Sequence, residues 1–306
     1  LDHKIHSIIR NMYAIPDFFE MFKYIDMTMT HSTDGDFVKF CKKHGIELKN
    51  LITAHTNGIN SLNGMDFESM KKYWKPFEQK EYRTVKYIGR SAAWKGPYLF
   101  RDIHEKYLKD AGYISTCEGI ELSIGSLQFL FKELHPRQVR DDTTIVLHKK
   151  NIDAFRNGTY NIERHHSIYM LPPYDHDEAM ERLSKCQFGL ELLILVDEMA
   201  KNVMEVAMFE MVATGCIPVF RKRWCEMFLI DGKSIYDYGF EQNGTIMMDE
   251  EHPEESVELM NKLSDDKEMY DKYRSIAFDF YSKHFNSKTV YDKIFDVIEK
   301  TFNEEK

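Results

Sequence analysis

Four charged residues offer the clearest chemistry in this chain. Arg90 and Lys95 stand between a segment patterned like a strand and a segment patterned like a helix. Fixed cations suit a diphosphate leaving group, because negative charge grows on it as the phosphate ester bond breaks. Glu205 and Glu210 lie at the start of an apolar helical segment, and carboxylates accept hydrogen bonds from sugar and ribose hydroxyls. Together the two pairs predict a site for a nucleotide sugar.

Each pair also has a purely structural explanation. Arg90 and Lys95 could be surface cations beside a turn at Gly96, and the helix dipole alone favours carboxylates near a helix N-terminus. Positions five apart on one helix differ by about 140° in direction. Glu205 and Glu210 need not share a helix face if Glu205 stands at the N-terminal end of the helix and Glu210 lies within its first turns.

Metal binding is not the preferred interpretation. Asp34 and Asp36 have the spacing with which some glycosyltransferases hold a divalent ion, but their position before Phe37 favours a helix start. The histidines form no set with a convincing third or fourth ligand nearby. Arg90 and Lys95 would already supply the electrostatic role of an ion, so we expect no essential metal and no cofactor beyond the donor.

Composition limits the function classes. The net charge of −9 argues against a strongly basic nucleic-acid binder, and no apolar run approaches the ~18 residues of a membrane span. A local basic cluster, Arg221-Lys222-Arg223, follows a predicted strand and could contact DNA phosphates, with a solvated face as the alternative. Five cysteines without a close pair indicate free thiols in a reducing cytoplasm.

The order of predicted elements defines the fold class. The predicted strands are Thr84–Gly89, Thr144–His148, Ser167–Leu171, Phe188–Leu195 and Ile217–Phe220, and the predicted helices are Pro97–Leu108, Asp177–Lys185, Met204–Thr214 and most of 254–301. Alternation of strand and helix predicts an α/β protein with a parallel sheet covered on both faces. We expect a first domain over 1–80, a nucleotide-sugar domain over 81–275, and a C-terminal helix over 276–306 packing back toward the first domain.

The chain opens on Leu1-Asp2-His3, in a segment patterned like a strand that runs into a helix. This pattern predicts that the N-terminal domain is incomplete, and that an upstream segment or a partner chain supplies the rest.

Ordered motifs over most of the chain carry a family resemblance. They are His31 to Phe37, Tyr73 to Lys75, Ile88 to Gly96, His104 to Lys109, Glu181 to Lys185, Phe188-Gly189, Glu205, Glu210, Gly215 and Ile217 to Phe220. With these motifs the chain resembles the DNA α-glucosyltransferases of T-even bacteriophages, which are GT-B enzymes. The resemblance implies two Rossmann-like domains around a cleft, UDP-glucose as donor, and 5-hydroxymethylcytosine in duplex DNA as acceptor, with retention at the anomeric carbon.

The resemblance also implies residue roles. Arg90 and Lys95 would clamp the diphosphate, Glu205 would hold glucose hydroxyls, and Glu210 would hold the ribose. Asp2 matches an acidic residue at the family's cleft and is the candidate acid or base, with His3 beside it. The uracil is expected against the loop at Tyr169, Met170 and Leu171, chiefly through backbone groups. The enzyme would act in the cytoplasm of an infected bacterium, where the modification protects DNA from restriction, and no membrane partner is expected.

Three other functions remain open. The donor could be a UDP-pentose such as UDP-arabinose, because one hydroxymethyl group changes binding by at most a few kcal/mol. The acceptor could be a glycan or a small molecule instead of DNA. The chain could also be a catalytically inactive remnant that binds nucleotide or DNA.

Overall fold

The computed structural model describes residues 24, 28–30, 36–49, 51–53, 64–88, 96–118, 144–146, 168–170, 175–193 and 204–303. Their strands are β1 Thr28–Thr30, β2 Leu51–Thr53, β3 Thr84–Ile88, β4 Ile114–Glu118, β5 Thr144–Val146, β6 Ile168–Met170, β7 Phe188–Glu191, β8 Ile217–Arg221, β9 Leu229–Ile230, β10 Lys233–Ser234 and β11 Ile246–Met248.

The described helices include short ones of a single turn. They are α1 Asp36–Lys43, α2 Phe67–Met70, α3 Pro97–Ile103, α4 His176–Ser184, α5 Val206–Ala213, α6 Lys222–Met227, α7 Ile235–Tyr238, α8 Phe240–Asn243, α9 Glu254–Asp265, α10 Lys267–Phe285 and α11 Ser287–Asn303. Two 3₁₀ turns, Lys71–Tyr73 and Phe77–Gln79, follow α2. A π-helical turn, His104–Leu108, extends α3, where a single α-helix to Leu108 was predicted.

A seven-stranded parallel sheet organises most of the described chain. Its strand order is β11-β8-β7-β3-β4-β6-β5. Every residue of β7 and β8 is buried, as expected for central strands covered on both faces. Since all strands run in one direction, their carboxyl ends lie at one edge, where open α/β sheets bind ligands. The predicted α/β class is therefore confirmed.

Alternate residues of the strands point into two separate cores. Ile217 and Val219 of β8 join one apolar cluster with α9, while Phe220 joins the other with α5 and α10. The helix α5 packs so closely on β7 that a Cβ on Gly189 would lie 2.4 Å from the Met211 side chain. Glycine at this strand position thus lets α5 approach the sheet, which fixes the helix that carries the predicted acidic pair.

The segment before β3 packs against this second core. Phe67 makes edge-to-face contacts with Phe209 of α5 at 6.3 Å and with Phe278 of α10 at 5.6 Å between ring centroids. The backbone of Met65 bonds both Phe285 and Ser287, at the junction of α10 and α11. Helix α10 runs without a break through residue 276. The domain limits at 80 and 275 stay predictions.

The other described sheets are small. Strands β1 and β2 form a separate parallel pair with α1 between them in sequence, and β9 and β10 form an antiparallel pair. Helix α1 begins at Asp36, as the Asp34-Gly35-Asp36 pattern predicted. Over the described ranges, no helix combines the length and the apolar character that crossing a membrane requires.

Candidate active site

Helix α5 carries both carboxylates of the predicted acidic pair. Glu205 is the residue before the first helical turn, with extended backbone angles of φ −71° and ψ 148°. Glu210 is the fifth residue of the helix, and its side chain is only 12% exposed. One carboxylate therefore stands at the N-terminal end of the helix and the other lies inside it, and their contacts with a sugar nucleotide stay predictions. The helix then ends at Ala213, and Gly215 leaves it with a φ of +79°.

Glu210 is hydrogen-bonded to a residue that sequence reasoning did not single out. The Nε2 atom of His176 lies 3.0 Å from Oε1 of Glu210. His176 is the first residue of α4, which contacts α5. The two residues are 34 positions apart in sequence, so no local pattern signals the contact.

Two further polar groups lie at the carboxyl ends of central strands. Tyr87, the penultimate residue of β3, and Glu191, the last residue of β7, are both fully buried. Burial raises the pKa of the Tyr87 hydroxyl well above its usual range, and the charges of Glu191 and Glu205 act in the same direction. The charges of both carboxylates thus act on the Tyr87 hydroxyl. Arg90 follows Tyr87 by three positions in sequence.

Glu191 is a second candidate that the sequence analysis missed. It stands within the apolar run from Phe188 to Leu195, which predicted a buried strand. A carboxylate inside such a run was the available signal of a functional residue, because a buried charge costs several kcal/mol unless other groups compensate for it. Glu191 pairs with Phe220 across the β7–β8 ladder, close to the end of β8.

The basic cluster at the end of β8 divides into residues of two kinds. Arg221 is buried, donates from Nε to Glu250 at 2.8 Å, and donates from Nη1 to the Leu193 carbonyl at 3.2 Å. Burial raises the pKa of Glu250, but the hydrogen bond and the charge of Arg221, together with a backbone hydrogen bond, outweigh this and leave the pKa below its usual value. Lys222 bonds Asp249 at 2.9 Å, whereas Arg223 is exposed.

The predicted contacts of Arg221, Lys222 and Arg223 with DNA stay predictions. Arg221 already neutralises an acid of its own chain, and it holds the backbone at Leu193, near the end of β7. Of the three, Arg223 therefore has the environment most typical of a phosphate contact.

Several predicted site residues lie outside the described residues. These are Asp2, His3, Arg90, Lys95 and Leu171. Tyr169 and Met170 end strand β6 beside β4, at the carboxyl edge of the sheet, and their contact with the nucleobase stays a prediction. Among the residues that the structure does describe, no three His, Cys, Asp or Glu side chains form a metal-binding group.

The solved structures that match this fold are GT-B glycosyltransferases, and they place the chain in that class. At the level of fold alone, it matches a UDP-forming trehalose-phosphate synthase from Burkholderia xenovorans, with 12% identity and a TM-score of 0.54 over 94% of this chain and 65% of that one. It matches an alpha-glucosyltransferase solved with UDP and a 13-mer DNA containing an HMU base more closely. There the TM-score is 0.75, with 26% identity over 92% of this chain and 67% of that one.

Sequence comparison identifies the family. The model of the DNA alpha-glucosyltransferase family matches residues 1–268. The DNA alpha-glucosyltransferase of Enterobacteria phage T4 is 29% identical over 98% of this chain and 72% of its own length. The chain belongs to the DNA alpha-glucosyltransferase family, which confirms the resemblance drawn from its motifs. A second solved alpha-glucosyltransferase, in complex with UDP-glucose and DNA containing an abasic site, is 26% identical over 92% of this chain and 68% of that one, with a TM-score of 0.75.

Proposed function

We propose that this protein transfers glucose from UDP-glucose to 5-hydroxymethylcytosine in duplex DNA, in the cytoplasm of an infected bacterium. The observation that carries the proposal is an acidic pair at the mouth of α5, in a chain that belongs to the DNA alpha-glucosyltransferase family. Solved relatives hold UDP, UDP-glucose and DNA, which are the ligands the proposal needs.

The donor is held by charge and by hydrogen bonds. Arg90 and Lys95 neutralise the diphosphate, which gains negative charge as it leaves. Glu205 accepts hydrogen bonds from glucose hydroxyls, and Glu210 accepts them from the ribose. In these roles, the sugar of the donor lies at the N-terminal end of α5 and the nucleoside lies about one turn further along the helix.

The transfer exchanges one bond for another at the anomeric carbon. The bond from this carbon to the β-phosphate oxygen breaks, and a bond to the acceptor hydroxymethyl oxygen forms on the same face, so configuration is retained. The acceptor proton passes to the departing phosphate oxygen, and Asp2, beside His3, orients the acceptor. A stacked cytosine cannot present its hydroxyl to that face, so the base flips out of the duplex. UDP and glucosylated DNA are the products.

The direct test offers the protein two DNA duplexes of identical sequence, one containing 5-hydroxymethylcytosine and one containing cytosine. With UDP-glucose, mass spectrometry should find one added hexose per modified base and none on the plain duplex. UDP-arabinose in a parallel reaction tests the pentose alternative, and NMR of the released nucleoside gives the anomeric configuration. Release of free glucose with no sugar on either DNA would contradict the proposal.

An Arg90→Ala variant tests the diphosphate clamp within the same assay. Turnover should fall by orders of magnitude while the thermal unfolding midpoint stays unchanged, because a charge at the leaving group acts mainly in the transition state. Near-normal turnover would remove the clamp from the proposed mechanism.

A further inference from the structure

Glu210 is an anomaly within its helix. All residues from Ala207 to Ala213 are buried, and Glu210 is the charged residue among them. A carboxylate in such a place is costly unless hydrogen bonds compensate for the lost water. Among the described residues, the side chain that bonds this carboxylate is His176, whose Nε2 lies 3.0 Å from Oε1.

The position of His176 is fixed by both of its neighbours in sequence. Asp175 caps helix α4 by accepting a hydrogen bond from the Glu178 backbone at 2.9 Å. Asp177 accepts a hydrogen bond from the hydroxyl of Tyr73, which lies in the segment packed on α5. Because both neighbours are held, the backbone of His176 is restricted in the first turn of α4, with its imidazole beside Glu210.

The geometry of the pair leaves capacity for a ligand. The carboxylate accepts, so Nε2 of His176 carries the proton, in either the neutral or the charged ring. A carboxylate has about four lone-pair sites, and His176 uses one of them. The His176 side chain is 61% exposed and that of Glu210 is 12% exposed, so the pair extends from solvent to the buried helix.

We propose that His176 is a positioning residue that orients the Glu210 carboxylate toward the ribose hydroxyls of the donor nucleotide. Fixing one oxygen aims the other at neighbouring hydroxyls, and lowers the rotamer entropy lost when the nucleotide binds. The pair therefore sets selectivity for ribonucleotides over nucleotides that lack these hydroxyls. This inference rests on the proposed function, which makes Glu210 the ribose contact.

The test compares binding of UDP with binding of 2′,3′-dideoxy-UDP by calorimetry. His176→Ala should weaken UDP about three- to tenfold, as expected for loss of one partly exposed charge-assisted bond, and should leave dideoxy-UDP unchanged. His176→Gln, whose amide nitrogen reaches the place of Nε2, should restore most of the UDP affinity. Glu210→Gln should also lose selectivity, and the double variant should be no weaker than Glu210→Gln alone.

A matched control is His252→Ala, which removes an exposed histidine far from α4 in sequence, and should bind both nucleotides as the unchanged protein does. The circular dichroism spectrum and the thermal unfolding midpoint of each variant, compared with those of the unchanged protein, exclude loss of fold. Equal weakening of UDP and dideoxy-UDP in His176→Ala, or no weakening of either, would overturn the inference. So would failure of the unchanged protein to bind UDP.

The two proposals fail in different ways. If nucleotide selectivity follows His176 and Glu210 as expected but no sugar reaches modified DNA, the transfer proposal fails and this inference stands. If sugar is transferred but His176→Ala keeps its preference for UDP, the reverse holds.

Discussion

The indole of Trp74 faces Gly215 and anchors the end of helix α5. Its Nε1 atom donates a hydrogen bond to the Ala213 carbonyl at 2.8 Å. Gly215 has a φ of +79°, and a Cβ there would meet the ring at 3.1 Å. Glu205 precedes this helix and Glu210 lies within it, so the contact holds the far end of the helix that carries the acidic pair.

We predict that Gly215→Ala destabilises the protein by about 2–3 kcal/mol. About 1 kcal/mol comes from the left-handed backbone, and the remainder comes from displacing the indole. Gly232→Ala is the matched control, because Gly232 has a φ of +83° but open space within 4 Å of its Cβ position. Urea unfolding of both variants measures the difference. An equal loss in the two would mean that the Trp74 contact contributes nothing.

Glu205 should act on the donor and not on folding. It is partly exposed, and its side chain makes no capping hydrogen bond to α5. Glu205→Gln should therefore lower kcat/KM for UDP-glucose by about 10- to 100-fold, equal to ~1.4–2.7 kcal/mol. The unfolding midpoint should stay within a degree or two of that of the unchanged protein.

Glu254→Gln provides the comparison for this result, because Glu254 is an exposed acid in the first turn of α9. It should leave kcat/KM unchanged. If both variants lose activity equally, a general charge effect explains the loss better than a sugar contact does.

The sequence predicted the elements that follow strong local rules. Helix α5, its end before Gly215 and strand β8 appear as expected, because an apolar run, a glycine stop and a second apolar run are unambiguous. Strand β4 was not predicted, although it is hydrogen-bonded to β3 along its whole length. Its buried Ser115 and Thr116 interrupt the apolar pattern that predicts a buried strand, since neither residue is apolar. The three-residue strand β11 at the sheet edge was not predicted either.

The site was predictable only where it is local in sequence. Glu205 and Glu210 stand out because they share one helix, whereas His176 reaches Glu210 across 34 positions. The Arg221–Glu250 pair spans 29 positions, so charge clustering alone suggested a solvent-exposed face for an arginine that is buried. Contacts of this kind are set by the sheet order, which periodicity does not specify.

Arg221 should contribute to stability through its buried ion pair. Arg221→Met keeps much of the side-chain volume but leaves Glu250 without its counter-charge and the Leu193 carbonyl without its donor. We expect a loss of about 2–4 kcal/mol in the free energy of unfolding, less than for a fully buried pair because Glu250 is 24% exposed. Restoration of stability in the double variant Arg221→Met, Glu250→Leu would support this cause, and an unchanged single variant would contradict it.

Arg223 is the member of the cluster expected to leave stability unaffected. Because it is exposed, Arg223→Ala should change the free energy of unfolding by less than about 0.5 kcal/mol. If it contacts a phosphate, the slope of log Kd against log salt for duplex DNA should fall by about 0.9. The exposed Lys283 of α10 serves as the control through Lys283→Ala, and equal slopes in the two variants would remove Arg223 from the DNA surface.

His104 should make the protein less stable in mild acid. The ring is buried, with Nδ1 2.7 Å from the Ser115 hydroxyl, and no described residue bonds its Nε2. Burial lowers the pKa of His104 to about 4. In the unfolded chain the pKa is about 6.5, so the unfolded state binds more protons between these values and stability falls as the pH falls through this window. From pH 7 to pH 5 the loss amounts to about 2 kcal/mol.

The variant His104→Asn isolates this contribution, because its amide can still reach Ser115 but does not titrate. Its free energy of unfolding should be lower at pH 7, yet its decrease between pH 7 and pH 5 should be smaller by about 2 kcal/mol than that of the unchanged protein. His252→Asn, at an exposed position, should leave the decrease as it is. Urea unfolding at the two pH values measures all three proteins. An identical decrease in His104→Asn and the unchanged protein would mean that other groups, including the acids paired with Arg221 and Lys222, govern the acid response.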